Sequence, residues 1–133
     1  MISRSRRWLA IAVISVMSNA TAGLSGQRAT QPEPGTFLLT IFLRHDQSKT
    51  LDEIDAQLQR TGFREHFPPP GVEVVSWYVM MGIGQVVTVR VPPDKLRDVN
   101  LAIEHRAWGA FRTEFYPTYD YKPIGEESQR KAQ

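Results

Sequence analysis

Residues 72–91 read VEVVSWYVMMGIGQVVTVRV. Two runs rich in β-branched and aromatic side chains, Val72 to Met81 and Gln85 to Val91, flank Gly82-Ile83-Gly84. Such runs suit the pleated, half-buried surface of a sheet, and a short glycine-rich link between them predicts a β-hairpin. Gly82 and Gly84 also spell G-x-G, but they do not qualify as a phosphate-cradling loop. That loop needs a following helix whose N-terminus faces the phosphate, and here a strand follows.

On the N-terminal side of the hairpin, Pro68 to Pro70 with Gly71 form a stiff connector, because proline fixes φ and removes the donor a helix would need. Before it, Thr50-Leu51-Asp52-Glu53 offers a capping box, and Leu51, Ile54 and Leu58 recur at helical spacing up to the stop at Gly62. Phe37 to Arg44 is apolar at nearly every position, as expected of a central strand. On the C-terminal side, Pro92-Pro93-Asp94 opens a second helix with Leu96, Val99 and Ile103 on one face. A last strand is expected from about Arg112 to Tyr121, where Pro117 argues for a sheet edge. Residues 23–35 lack a hydrophobic period and read as a flexible leader, the domain as 36–123, and the charged stretch 124–133 as a disordered tail.

The order is β-α-β-β-α-β, the split βαβ pattern of an α+β, ferredoxin-like fold: a four-stranded antiparallel sheet with two helices on one face. With this order, and with the aromatic stretch Trp108 to Phe111 leading into Phe115 to Tyr121, the chain resembles the dimeric α/β-barrel superfamily, which includes muconolactone isomerase-like, GYD-like and antibiotic-monooxygenase-like domains. The resemblance spans about residues 36–123. It implies a homodimer packed through the open sheet face, and a ligand cavity either between sheet and helices or within the barrel. It also implies an alternative function as a cofactor-free isomerase or monooxygenase-like enzyme.

Strand alternation assigns the two faces. Phe37, Leu39, Ile41 and Leu43 suit the helix side, as do Val87, Val89 and Val91. Leu38, Thr40, Phe42 and Arg44 then fall on the open face with Val86, Thr88 and Arg90, Ser76, Tyr78 and Met80, and Glu114, Tyr116 and Thr118. A face half apolar and half polar, on a domain without a third layer, calls for a partner. Phe42, Arg44, Tyr78, Met80, Arg90 and Tyr116 are the candidate ligand-binding residues, toward a small, largely apolar ligand. Arg44 and Glu114 are expected to pair as surface ions, whereas Arg90 belongs at the far end of the sheet.

His45, at the end of the first strand, is the candidate acid/base group, with Tyr78 as its partner in the enzymatic alternative. His66 sits in the connector after the first helix, and His105 is expected in solvent. The three histidines show no metal-ligand spacing, and no metal or cofactor is expected.

The first 22 residues place Arg4, Arg6 and Arg7 before an apolar run from Trp8 to Met17 and the small-residue triplet Ala20-Thr21-Ala22. That is the order of a cleavable signal peptide, and the run is half the length of a membrane-spanning helix. Ser5 to Leu9 also resembles a twin-arginine export signal, from which Ala10 departs, and a mitochondrial presequence is the remaining alternative. Of the 16 basic and 14 acidic residues, three basic ones and no acidic one lie in this segment. The mature chain would therefore carry thirteen against fourteen, a net charge of −1, without the basic excess that binds nucleic acid or anionic lipid. There is no cysteine, hence no disulfide framework and no thiolate metal site. The expectation is a periplasmic or secreted, non-catalytic module for small-ligand binding or protein interaction, free of the membrane once its signal is cleaved.

Overall fold

The computed structural model describes residues 35–133; the expected signal peptide and all but the last residue of the expected leader lie outside them. The chain runs β1 (Phe37–His45), α1 (Leu51–Thr61), α2 (Phe63–His66), β2 (Glu73–Met80), β3 (Gly84–Val91), α3 (Leu96–Arg106), β4 (Phe111–Thr118) and α4 (Lys122–Lys131), with a 3-10 turn at Pro93–Lys95 leading into α3. The strands form one antiparallel sheet in the order β2-β3-β1-β4, the ferredoxin-like arrangement. β1 and β3 are central, and Pro117 lies on edge strand β4, where its missing donor removes no ladder bond on the outer side.

The core follows from the alternation in the central strands. Leu39, Ile41 and Leu43 of β1 and Val87, Val89 and Val91 of β3 are buried together with Ile54 and Leu58 of α1 and Val99 and Ile103 of α3. At about 25 cal/mol per Å² of apolar surface removed from water, each such side chain contributes on the order of 1.5–3 kcal/mol. The first helix starts as its sequence implies: Thr50 donates its N–H to Glu53 Oε2 at 2.6 Å, and Glu53 returns its N–H to Thr50 Oγ1 at 3.2 Å. Gly62 then takes φ 64° and ends α1.

Helix α2 has no counterpart in the hydrophobic periodicity, since one turn is too short to show a period. It is held by tertiary packing: Phe63 is buried and stacks on Phe67 at 5.2 Å between ring centroids, and Trp77 of β2 meets both rings edge-on. Leu96, expected on the buried face of the second helix, is instead 44% exposed. It is the first residue of α3, and it borders a groove beside β4 rather than the centre of the core.

The C-terminal stretch also departs from expectation. The last strand ends at Thr118, not Tyr121, and residues 124–133, expected without order, lie mostly within α4. Pro123 stands in its first turn, where a missing N–H costs nothing, and Asp120 Oδ1 accepts from the Lys122 N–H at 2.9 Å. The i,i+4 pairs Lys122–Glu126 and Lys131–Glu127 run along it. An apolar stripe is absent because all of its residues are exposed except the half-buried Gly125; such a helix leaves no periodic signature.

One glycine is fixed by backbone geometry. Gly84 opens β3 opposite Arg44 at φ 144°, and a Cβ there would collide with the Leu43 carbonyl oxygen and crowd the His45 nitrogen. The close approach lets the β2–β3 turn lie against the end of β1, where the His45 N–H donates to the Ile83 carbonyl at 2.9 Å.

Candidate functional site

The strand registers arrange the open face as four cross-sheet rows, each read from β2 to β4. Met80, Gly84, Arg44 and Arg112 form the first; Tyr78, Val86, Phe42 and Glu114 the second; Ser76, Thr88, Thr40 and Tyr116 the third; and Glu73, Arg90, Leu38 and Thr118 the fourth. A bulge between Val74 and Ser76 keeps β2 in phase with β3 along this pattern. The face is therefore striped: charged at both ends, apolar and aromatic in the second row, and hydroxyl-bearing in the third.

Within the apolar row, Phe42 meets the Tyr116 ring edge-on at 5.7 Å and carries the Arg44 guanidinium at 5.7 Å from its centroid. Tyr78 and Tyr116 are 67% and 50% exposed. The hydroxyls beside them are linked, Thr118 Oγ1 donating to Thr40 Oγ1 at 2.7 Å and Thr40 lying 3.0 Å from Thr88 Oγ1. Of the candidate ligand-binding residues, Phe42 thus contacts both Tyr116 and Arg44. Tyr78 and Met80 lie on the opposite edge strand, and Arg90 at the far end of β3.

Arg44 donates through Nε to Glu114 Oε1 at 2.7 Å, and Tyr116 donates its hydroxyl to Glu114 Oε2 at 2.9 Å. The Arg44 bond first, then the Tyr116 bond, hold the Glu114 carboxyl below its ordinary range, while the same carboxylate pushes the Tyr116 phenol up. Arg90 has a different setting. Its side chain is only 8% exposed and donates through Nε to Glu73 at 3.2 Å, while Nη1 finds no hydrogen-bond partner among the described residues.

At the charged end, a cleft of about 340 Å³ opens between the β1–α1 loop, the β2–β3 turn and the start of β4. It is lined by Arg44, His45, Asp46, Gln47, Ser48, Gly82, Ile83 and Arg112. Asp46 Oδ1 accepts from both the Ser48 N–H and Oγ, at 3.0 and 2.6 Å, which lowers its pKa. The half-buried His45 ring stacks on Phe111 at 5.6 Å, tilted by 19°. No tyrosine lines this cleft, and Tyr78 belongs to β2, on the far side of β3 from β1. The His45–Tyr78 pair on which the enzymatic alternative depends is not assembled within the cleft.

The residue that sequence reasoning missed is Arg112. It shares the parity of Glu114, Tyr116 and Thr118, so alternation alone places it on the open face. Its position opposite Arg44 is a matter of register between strands about 70 residues apart, which no local pattern discloses. On the helix side, a second and apolar groove of about 410 Å³ runs between α3 and β4, lined by Leu39, Leu96, Arg97, Asn100 and Phe115. No protein-family model, curated protein or solved structure matches this chain.

Proposed function

We propose that the protein is a non-catalytic binding module whose working form is a homodimer packed through the open sheet face, in the manner of the dimeric α/β-barrel superfamily, and that residues 1–22 direct its export. The observation that supports this is the second row of that face. Tyr78, Val86 and Phe42 lie side by side across three strands, with Tyr116 against Phe42, while both core helices pack on the other side. Among the described residues a monomer has no third layer with which to cover them.

The size is adequate for self-association. Four strands about 4.8 Å apart and about 27 Å long present a surface which, roughened by side chains, approaches the roughly 800 Å² per partner of a standard interface. The test is the concentration dependence of thermal unfolding. A dimer gains melting temperature as protein concentration rises, and Phe42→Asp, which places two charges at the centre of a two-fold contact, should abolish that dependence. A melting temperature independent of concentration in the wild type would refute the dimer.

A second reading rests on the groove between α3 and β4. Its Leu39, Leu96 and Phe115 walls suit a small apolar ligand held between sheet and helix. A fluorescent apolar probe displaced by Leu96→Glu but unaffected by Phe42→Asp would support that site independently of the dimer.

A further inference from the structure

We propose that the cleft between Arg44 and Arg112 binds a small molecule through an oxyanion group, a carboxylate or a phosphate. The site lies at the charged end of the same open face, at the border of the dimer surface proposed above, and does not rest on self-association.

The two arginines are direct register partners on β1 and β4, on one face of the sheet. Like charges placed opposite one another are destabilising unless something neutralises them. The carboxylates nearby do so only in part. Glu114 accepts Arg44 Nε on one oxygen and the Tyr116 hydroxyl on the other, and Asp46 is held by Ser48. Arg44 uses only Nε, so its two terminal nitrogens stay free for a ligand. Arg112 makes no hydrogen bond or ion pair among the described residues, although its charge is felt by both Asp46 and Glu114. The cleft wall thus carries two guanidinium groups beside the Asp46 carboxylate, whose Oδ1 is taken by Ser48, with the Glu114 carboxylate next to it engaged by Arg44 and Tyr116.

Surplus N–H forks of this kind match the planar or tetrahedral array of oxygens on a carboxylate or phosphate, and charge-assisted hydrogen bonds are the strong ones. The volume of about 340 Å³ leaves room for a small organic body beside the anionic group. His45, its ring stacked on Phe111, lines the same wall. Gly82 contributes to this wall as part of a tight turn, not as the start of a helix, so the guanidinium groups and not backbone N–H groups provide the recognition.

The experiment is titration of isotopically labelled protein with sodium phosphate and, separately, with sodium benzoate, at constant ionic strength in chloride. Amide shifts at Ser48 and Gly82 and the Nε signal of Arg112 report occupancy. Saturable shifts with at least one probe are expected, and which probe saturates tells carboxylate from phosphate. Arg112→Gln should weaken binding about tenfold or more. Arg112→Lys, which keeps the charge but not the fork, should recover part of the loss, and Arg130→Gln on the exposed α4 should leave binding unchanged. Linear, non-saturating shifts with both probes, or equal affinity in wild type and Arg112→Gln, would overturn the proposal.

Discussion

Arg44 and Glu114 join the two strands at the charged end of the sheet diagonally. Arg44 lies opposite Arg112, and its Nε reaches one row along the sheet to Glu114 Oε1 at 2.7 Å. The same carboxylate receives the Tyr116 hydroxyl, so one acidic group orders a guanidinium and a phenol on the open face.

This arrangement sets a pH dependence of defined sign. Glu114 has its pKa lowered in the folded state, chiefly by Arg44, so its contribution to stability is complete above the ordinary value of 4.5 and is lost as pH falls below it through the folded pKa. Tyr116 is the converse. Its pKa is raised by Glu114 from 10.0, so that contribution is complete at neutral pH and is lost as pH rises through the folded value. Glu114→Gln should flatten the acid limb of the stability profile. In an ultraviolet titration it should also return one late-titrating phenol to the ordinary tyrosine range. An unchanged phenol titration would mean that the Tyr116–Glu114 bond does not persist in solution.

The turn glycines should differ in their response to the same substitution. Gly82 has φ 77° with nothing near a would-be Cβ, whereas at Gly84 a Cβ meets the backbone of β1. Gly82→Ala should cost about 1 kcal/mol from its left-handed conformation alone. Gly84→Ala should cost about 2–4 kcal/mol, because backbone atoms cannot yield without parting β3 from β1. Urea unfolding of the two variants checks the order, and equal losses would contradict the close approach.

How far the sequence could be read depended on where each cause lies. The alternation in Phe37 to His45 and Gln85 to Val91, the Thr50–Glu53 box and Pro117 are local signals, and they led to the strand order and the faces. Helix α4 escaped because an exposed helix of charged residues buries no stripe, and α2 because Phe63 is placed by contacts with Phe67 and Trp77. The site was partly legible: Arg44, Glu114, Phe42 and Tyr116 came from parity. The facing of Arg112 on Arg44 and the burial of Arg90 on a nominally open face are tertiary facts without local trace.

Arg90 and Glu73 should respond unequally to truncation. The Arg90 side chain is buried with Nη1 unsatisfied among the described residues, while Glu73 is 63% exposed. Glu73→Ala leaves the guanidinium buried with its Nε bond lost, and should cost about 1–2 kcal/mol. Arg90→Met removes the charge while retaining volume, and should cost less or even stabilise the domain. A larger loss from Arg90→Met than from Glu73→Ala would show that Arg90 is satisfied by a group outside residues 35–133.

Self-association through the open face is the central claim, and the most direct test is the molar mass of the wild-type protein by light scattering at micromolar concentration, alongside Phe42→Asp. A mass of two chains that falls to one in the variant, or gives way to aggregation, is the predicted result. A single-chain mass for the wild type, or a dimer that survives Phe42→Asp unchanged, would contradict it.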